Sequence, residues 1–120
     1  MTRINVGIPP ADLSGKHLIA EHREIKRIPN CIAKGKYNMD NIPSKFKLGT
    51  GHVKFFYNKL KYLRNRYKSI YKECLRRGYK VQNYIGAWNE VPDVLMGDYI
   101  PTKHDIEIIK QRIKERSWKN

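Results

Sequence analysis

The apolar positions of this chain fall into three helical patterns separated by long irregular stretches. Between about Asp12 and Ile28, and just beyond, Leu18, Ile25 and Ile32 recur every seven residues, with His17, Glu21, Glu24 and Arg27 or Ile28 along a neighbouring stripe. This predicts a first helix. Pro29 should kink or end it, because proline has no amide proton and crowds the preceding turn. Residues 34–51 read as a connection punctuated by Pro43, Gly49 and Gly51, with Phe46 and Leu48 anchoring it to the core. The strongest pattern follows: Val53, Phe56, Leu60, Leu63, Tyr67, Ile70 and Cys74 step alternately by three and four and draw one apolar stripe. Thr50 is the predicted N-cap of that second helix, and Gly78 its stop. Residues 79–101 are irregular and aromatic-rich. A third helix opens at Thr102, with Asp105 in its first turn and Ile106, Ile109 and Ile113 on its apolar face. The expectation is an all-α fold: a compact three-helix single domain over residues 1–120 with long irregular connections.

Charge changes the picture from a plain helical domain to one with a polyanionic partner. Lys and Arg number 25 against 11 Asp and Glu, a formal net charge of +14. Nucleic acid is the first candidate for such an excess. An anionic membrane surface is the weaker one, since no apolar run reaches the ~18 residues of a spanning helix. The N-terminus lacks the basic-then-apolar pattern of a signal peptide, so a cytoplasmic location is expected. Cys31 and Cys74 are isolated and without metal-type spacing, which predicts free thiols in a reducing compartment.

Few motifs carry chemistry by spacing alone. In HLIAEHRE, His17 and His22 are five apart, about 140° around a helix, whereas zinc-binding pairs sit four apart on one face. That geometry argues against a metal site. GTGH at Gly49 lacks the lysine and spacing of a phosphate loop, so its glycines serve backbone geometry. Ser14, Ser44, Ser69 and Ser117 stand in no nucleophile context. Lys54, Lys61, Arg64, Lys68 and Lys72 line the polar side of the second helix, where the plain alternative to DNA contact is a solvated face. Arg23, Glu24 and Arg27, taken by themselves, form an exposed ion-pair ladder worth ~0.3–0.5 kcal/mol.

Taken in order, MTRIN, HLIAEHREIKR, LGTGHVKFFYNKLKYLRNR, ECLRRGY and GDYIP resemble the bacteriophage endonuclease V family of pyrimidine-dimer DNA glycosylases with abasic-site lyase activity. The resemblance implies an all-α domain. It also implies that Met1 is removed, that Thr2 then supplies a nucleophilic amine, and that Glu24 is the catalytic carboxylate. Arg3, Arg23 and Arg27 would grip the DNA backbone around the lesion, with His17 close by. The implied partner is double-stranded DNA carrying a lesion, sharply kinked and with a base opposite the dimer flipped out. No cofactor and no metal are required, no membrane is involved, and a monomer is expected.

The chemistry suits these residue types. The amine must be neutral to attack the sugar C1′, expel the base and leave an imine. An α-amino group with pKa 7.7–8.0 is ~10–15% neutral at pH 7, against ~0.04% for an ordinary lysine. Arg3 and other cations nearby disfavour a further positive charge on that amine. Glu24 can stabilise charge developing on the sugar, then assist proton removal from C2′ so that the 3′ phosphate leaves by β-elimination. The sequence departs from the family in two places. The stretch after Arg27 is shorter by about one helical turn, and the aromatic C-terminal tail is reduced to Trp118, the one residue left to stack on the damaged strand. Two other functions stay open: a glycosylase for another modified base, and a non-catalytic basic DNA-binding protein.

Overall fold

The computed structural model describes residues 2–35 and 37–118, apart from the side chains of residues 116–118. Its helices are α1 (Gly15–Glu24), α2 (Arg27–Ala33), α3 (His52–Phe55), α4 (Leu60–Arg76) and α5 (Lys103–Trp118), with single 3-10 turns at Pro10–Asp12, Ile85–Trp88 and Asp93–Leu95. No strand occurs among the described residues. The Cα radius of gyration is 14.0 Å, close to the ~13.6 Å of a compact chain this long. The all-α expectation is met, and the three predicted patterns are all helical, but two of them are subdivided.

The first pattern is two helices. Ser14 caps α1, its Oγ accepting the His17 amide at 3.2 Å. The break at Ile25–Lys26 falls one turn before Pro29, which sits in the first turn of α2. Pro29 has no N–H to offer the Ile25 carbonyl, and its ring crowds that oxygen. Ile25 instead accepts a long bond from Ile28, at 3.4 Å. Proline in the first turn of α2 costs no hydrogen bond, because amides there have no intrahelical partner. Leu18, Ile25 and Ile32 are all buried, as their seven-residue spacing predicts.

The second pattern also has a break. Thr50 does not cap it; the residue before α3 is Gly51, at φ +92°, where a side chain would be strained. After one turn the chain loosens and restarts as α4. Two of the first amides of α4, from Lys61 and Tyr62, donate to the Gly97 carbonyl at 3.1 and 3.3 Å. A Cβ at Gly97 would stand 2.3 Å from the Asn58 carbonyl oxygen, so only glycine lets this loop reach the helix end. The stripe survives the break: Phe56, Leu60, Leu63, Tyr67, Ile70 and Cys74 are buried together. Gly78, at φ +79°, ends α4 as expected. The Gly78 and Tyr79 amides return to the Leu75 and Cys74 carbonyls at 3.0 and 2.9 Å, a Schellman motif.

The third helix is capped reciprocally. The Asp105 amide donates to Thr102 Oγ1 at 3.0 Å, and the Thr102 amide to Asp105 Oδ2 at 3.1 Å. Ile109 of α5 is fully buried. The irregular N-terminal segment is part of the same core, with Ile4, Val6 and Ile8 buried at alternate positions. Arg77 fastens the loop that follows, its Nη2 donating to the carbonyls of Pro10, Ala11 and Leu13 at 3.2, 3.1 and 2.8 Å. Cys31 and Cys74 are free thiols, the second buried.

Candidate active site

The N-terminal segment crosses α1 at Glu21 and Glu24, which lie three apart and so face the same way. The Arg3 amide donates to Glu24 Oε1 at 3.1 Å. Asn5, itself buried, donates from Nδ2 to Glu21 Oε1 at 2.7 Å. Arg3, Asn5, His17, Ala20, Glu21 and Glu24 line one small cleft, closed on its other side by Arg112 and Ile113 of α5. The Arg112 Nη2 donates to Asn5 Oδ1 at 2.9 Å, tying the last helix to the first segment.

Of the residues expected here, the structure brings Arg3, His17 and Glu24 to this cleft, with Thr2 next to Arg3 in the chain. Arg23 lies at the edge, its Nη2 3.7 Å from Glu24 Oε2 and its side chain 59% exposed. Arg27 is exposed one turn further on, at the start of α2. Trp118 ends α5, and its side chain lies outside the described residues. The Arg3 Nε is cut off from solvent and has no acceptor among the described residues. A larger cavity of about 450 Å³, lined by Arg64, Lys68, Trp88 and Asp93 among others, contains none of the expected site residues.

The two histidines of α1 have separate surroundings. His17 opens on the cleft and contacts Ser14. His22 is buried against Tyr67, Tyr71 and Tyr84, and its Nε2 donates to the Gln82 carbonyl at 2.9 Å. Burial lowers its pKa from the ordinary histidine value. Lys26, between Arg23 and Arg27, places its ammonium 3.5 Å from the Tyr84 ring centre. No group of three or more His, Cys, Asp or Glu side chains among the described residues is arranged to hold a metal.

The residues that the sequence reading missed are those beneath the cleft. Arg66 of α4 donates from Nε and Nη2 to Glu21 at 2.6 and 3.1 Å, and from Nη1 to the Ile8 carbonyl at 2.8 Å. Burial alone would lower the Arg66 pKa; the Glu21 carboxylate more than offsets this and holds it above the ordinary arginine value. Their signal was available, since Glu21 lies between Leu18 and Ile25, and Arg66 between Leu63 and Ile70, both at apolar-stripe spacing. His52 is the other omission. Its Nε2 accepts the Ile4 amide at 3.1 Å, and its Nδ1 faces the Lys47 carbonyl at 2.9 Å. Nothing in the local sequence marks that contact across 48 residues.

Residues 1–85 match the family model described as pyrimidine dimer DNA glycosylase. The match takes in the N-terminal segment, α1, His52 and Arg66, and stops before α5 and Arg112.

Proposed function

Because this chain belongs to the pyrimidine dimer DNA glycosylase family, we propose that it excises ultraviolet-induced pyrimidine dimers and then nicks the strand, using its own N-terminal amine. With Met1 removed, the neutral amine of Thr2 attacks C1′ of the damaged nucleotide. The glycosidic bond breaks and the base leaves with the bonding pair; the sugar ring then opens at C1′–O4′, O4′ taking up a proton as the amine nitrogen loses one, which gives an imine between Thr2 and the sugar. Glu24 stabilises the positive charge that develops on the sugar. It then accepts the C2′ proton, and the 3′ phosphate departs by β-elimination. Water hydrolyses the remaining imine and frees the enzyme. Arg3, Arg23 and Arg27 hold phosphates on either side of the lesion, and His17 borders the reacting sugar.

One observation carries this reading: the Arg3 amide is bonded to Glu24 Oε1 at 3.1 Å. That amide belongs to the Thr2–Arg3 peptide, so the bond brings the nucleophile's own carbonyl group and the carboxylate together. The part-exposed Arg3 guanidinium in the same cleft is a donor group suited to a phosphate oxygen. A net charge of +14 supports DNA as the partner.

Borohydride trapping tests the assignment. Processed protein incubated with an abasic duplex and borohydride should give a covalent complex that peptide mapping places at the Thr2 amine. Attachment at Lys16 or Lys26, with Thr2 free, would refute it. Protein that keeps Met1 should bind DNA and lose most of its trapping.

A further inference from the structure

The two peptides that follow Thr2 are held separately. Glu24 accepts the amide of the first, from Arg3, and His52 accepts the amide of the second, from Ile4, each at 3.1 Å. Peptide units are planar, so restraining two consecutive planes leaves the Thr2 amine little freedom beyond rotation about its own bonds. The two restraints differ in one respect. Glu24 is asked to change partners when it handles a proton, whereas His52 lies in the core, 3% exposed, with both ring nitrogens held by backbone groups.

The hydrogen bonds of His52 define its state. The Lys47 carbonyl can only accept, so the ring proton is on Nδ1; the Ile4 amide can only donate, so Nε2 is bare. This is one tautomer of the neutral imidazole. Phe46 and Phe56 pack edge-on against the ring, with centroids 5.4 Å away in each case. The charged groups facing it are Arg112 from α5 and Glu21 from α1. Burial holds its pKa down, at about 4, against the opposing pull of the Lys47 carbonyl. A protonated ring would set N–H against N–H and release Ile4.

We propose that His52 is a positioning residue for the reaction: by accepting the Ile4 amide it keeps the N-terminal segment in register while Glu24 exchanges its partners. The inference rests on the Thr2 assignment above. It goes beyond that assignment by giving a role to a side chain that does not touch the DNA.

The test uses full-length protein with Met1 removed. In wild-type protein labelled with nitrogen-15, a scalar coupling across the Ile4 N–H···Nε2 His52 bond should be present at neutral pH. It should vanish as the pH falls through about 4. Two variants then separate positioning from packing: His52→Leu keeps apolar bulk without an acceptor, and His52→Gln keeps an acceptor. At saturating abasic duplex, His52→Leu should slow trapping by about ten- to a hundredfold, with duplex affinity within about threefold, and His52→Gln should recover most of the rate. Wild-type trapping in both variants would overturn the proposal. So would equal slowing in both that follows equal losses of thermal stability. If neither variant folds, the coupling in wild type decides, and its absence overturns the proposal. A wild-type adduct on an internal lysine sinks the Thr2 assignment instead, an outcome visible without any variant.

Discussion

Glu21 and Glu24 stand three residues apart on α1, both buried, both bonded to the N-terminal segment, and both beside an arginine. Glu21 is a closed system. Its two oxygens take Arg66 at 2.6 and 3.1 Å and Asn5 at 2.7 Å, and its side chain is 1% exposed. Glu24 is open. It holds one amide at 3.1 Å and a solvent-exposed Arg23 at the looser distance of 3.7 Å. Burial alone therefore does not separate Glu21 from Glu24, the carboxylate for which a catalytic role is proposed. What separates them is whether the partner is fixed. Arg66 is held by three hydrogen bonds inside the core, whereas Arg23 is exposed and loosely held; under the proposed function it would swing toward a phosphate and leave Glu24 free to act on a sugar.

That contrast can be broken by substitution, and the largest effect should come from the closed side. Glu21→Ala leaves the Arg66 guanidinium buried without its counter-charge, and urea denaturation should show a loss of about 3–5 kcal/mol. A loss below about 1 kcal/mol would mean that water reaches Arg66, and that the pair is not closed. Glu24→Gln should do the reverse. It should melt near the wild type and keep its DNA affinity, while glycosylase turnover falls at least ~100-fold. Turnover like that of wild type would remove Glu24 from the chemistry. The smallest effect sharpens the open side. Arg23→Ala and Arg27→Ala should each change stability by less than about 0.5 kcal/mol. Each should also lower the slope of log affinity against log salt by about one, the contribution of a single neutralised phosphate. A slope unchanged in both variants would place the DNA elsewhere on the surface.

How much of this was legible in the sequence depended on whether the signal was local. Leu18, Ile25 and Ile32, the run from Phe56 to Cys74, the Thr102–Asp105 cap and the Gly78 stop are local, and each was readable from spacing or residue type. The break before α4 was not, because the apolar stripe runs through it unaltered. Its cause is the Gly97 carbonyl, which reaches the amides of Lys61 and Tyr62 from 36 and 35 residues away. The break after Glu24 was half legible: Pro29 announced it, but the affected carbonyl belongs to Ile25, four residues earlier. In the candidate site, spacing alone makes Arg23, Glu24 and Arg27 an ion-pair ladder, and only a resemblance in ordered blocks sets them apart together with Thr2 and Arg3. Arg112 and His52 reach the site from far along the chain, and no periodicity encodes such contacts.

The placement of Ile4 and Val6 inside the core has a consequence for how the protein fails. Chain ends ordinarily fray first, at little cost, while the rest of a domain stays folded. Here both side chains are fully buried, and Arg77 clasps the loop that follows them. The end of the chain cannot peel away without opening the hydrophobic interior. If Thr2 supplies the nucleophilic amine, as proposed, that amine shares the global stability of the domain rather than that of a loose end. Under heat or denaturant, loss of activity and loss of helical signal should trace one cooperative curve, with no inactive but folded species between them.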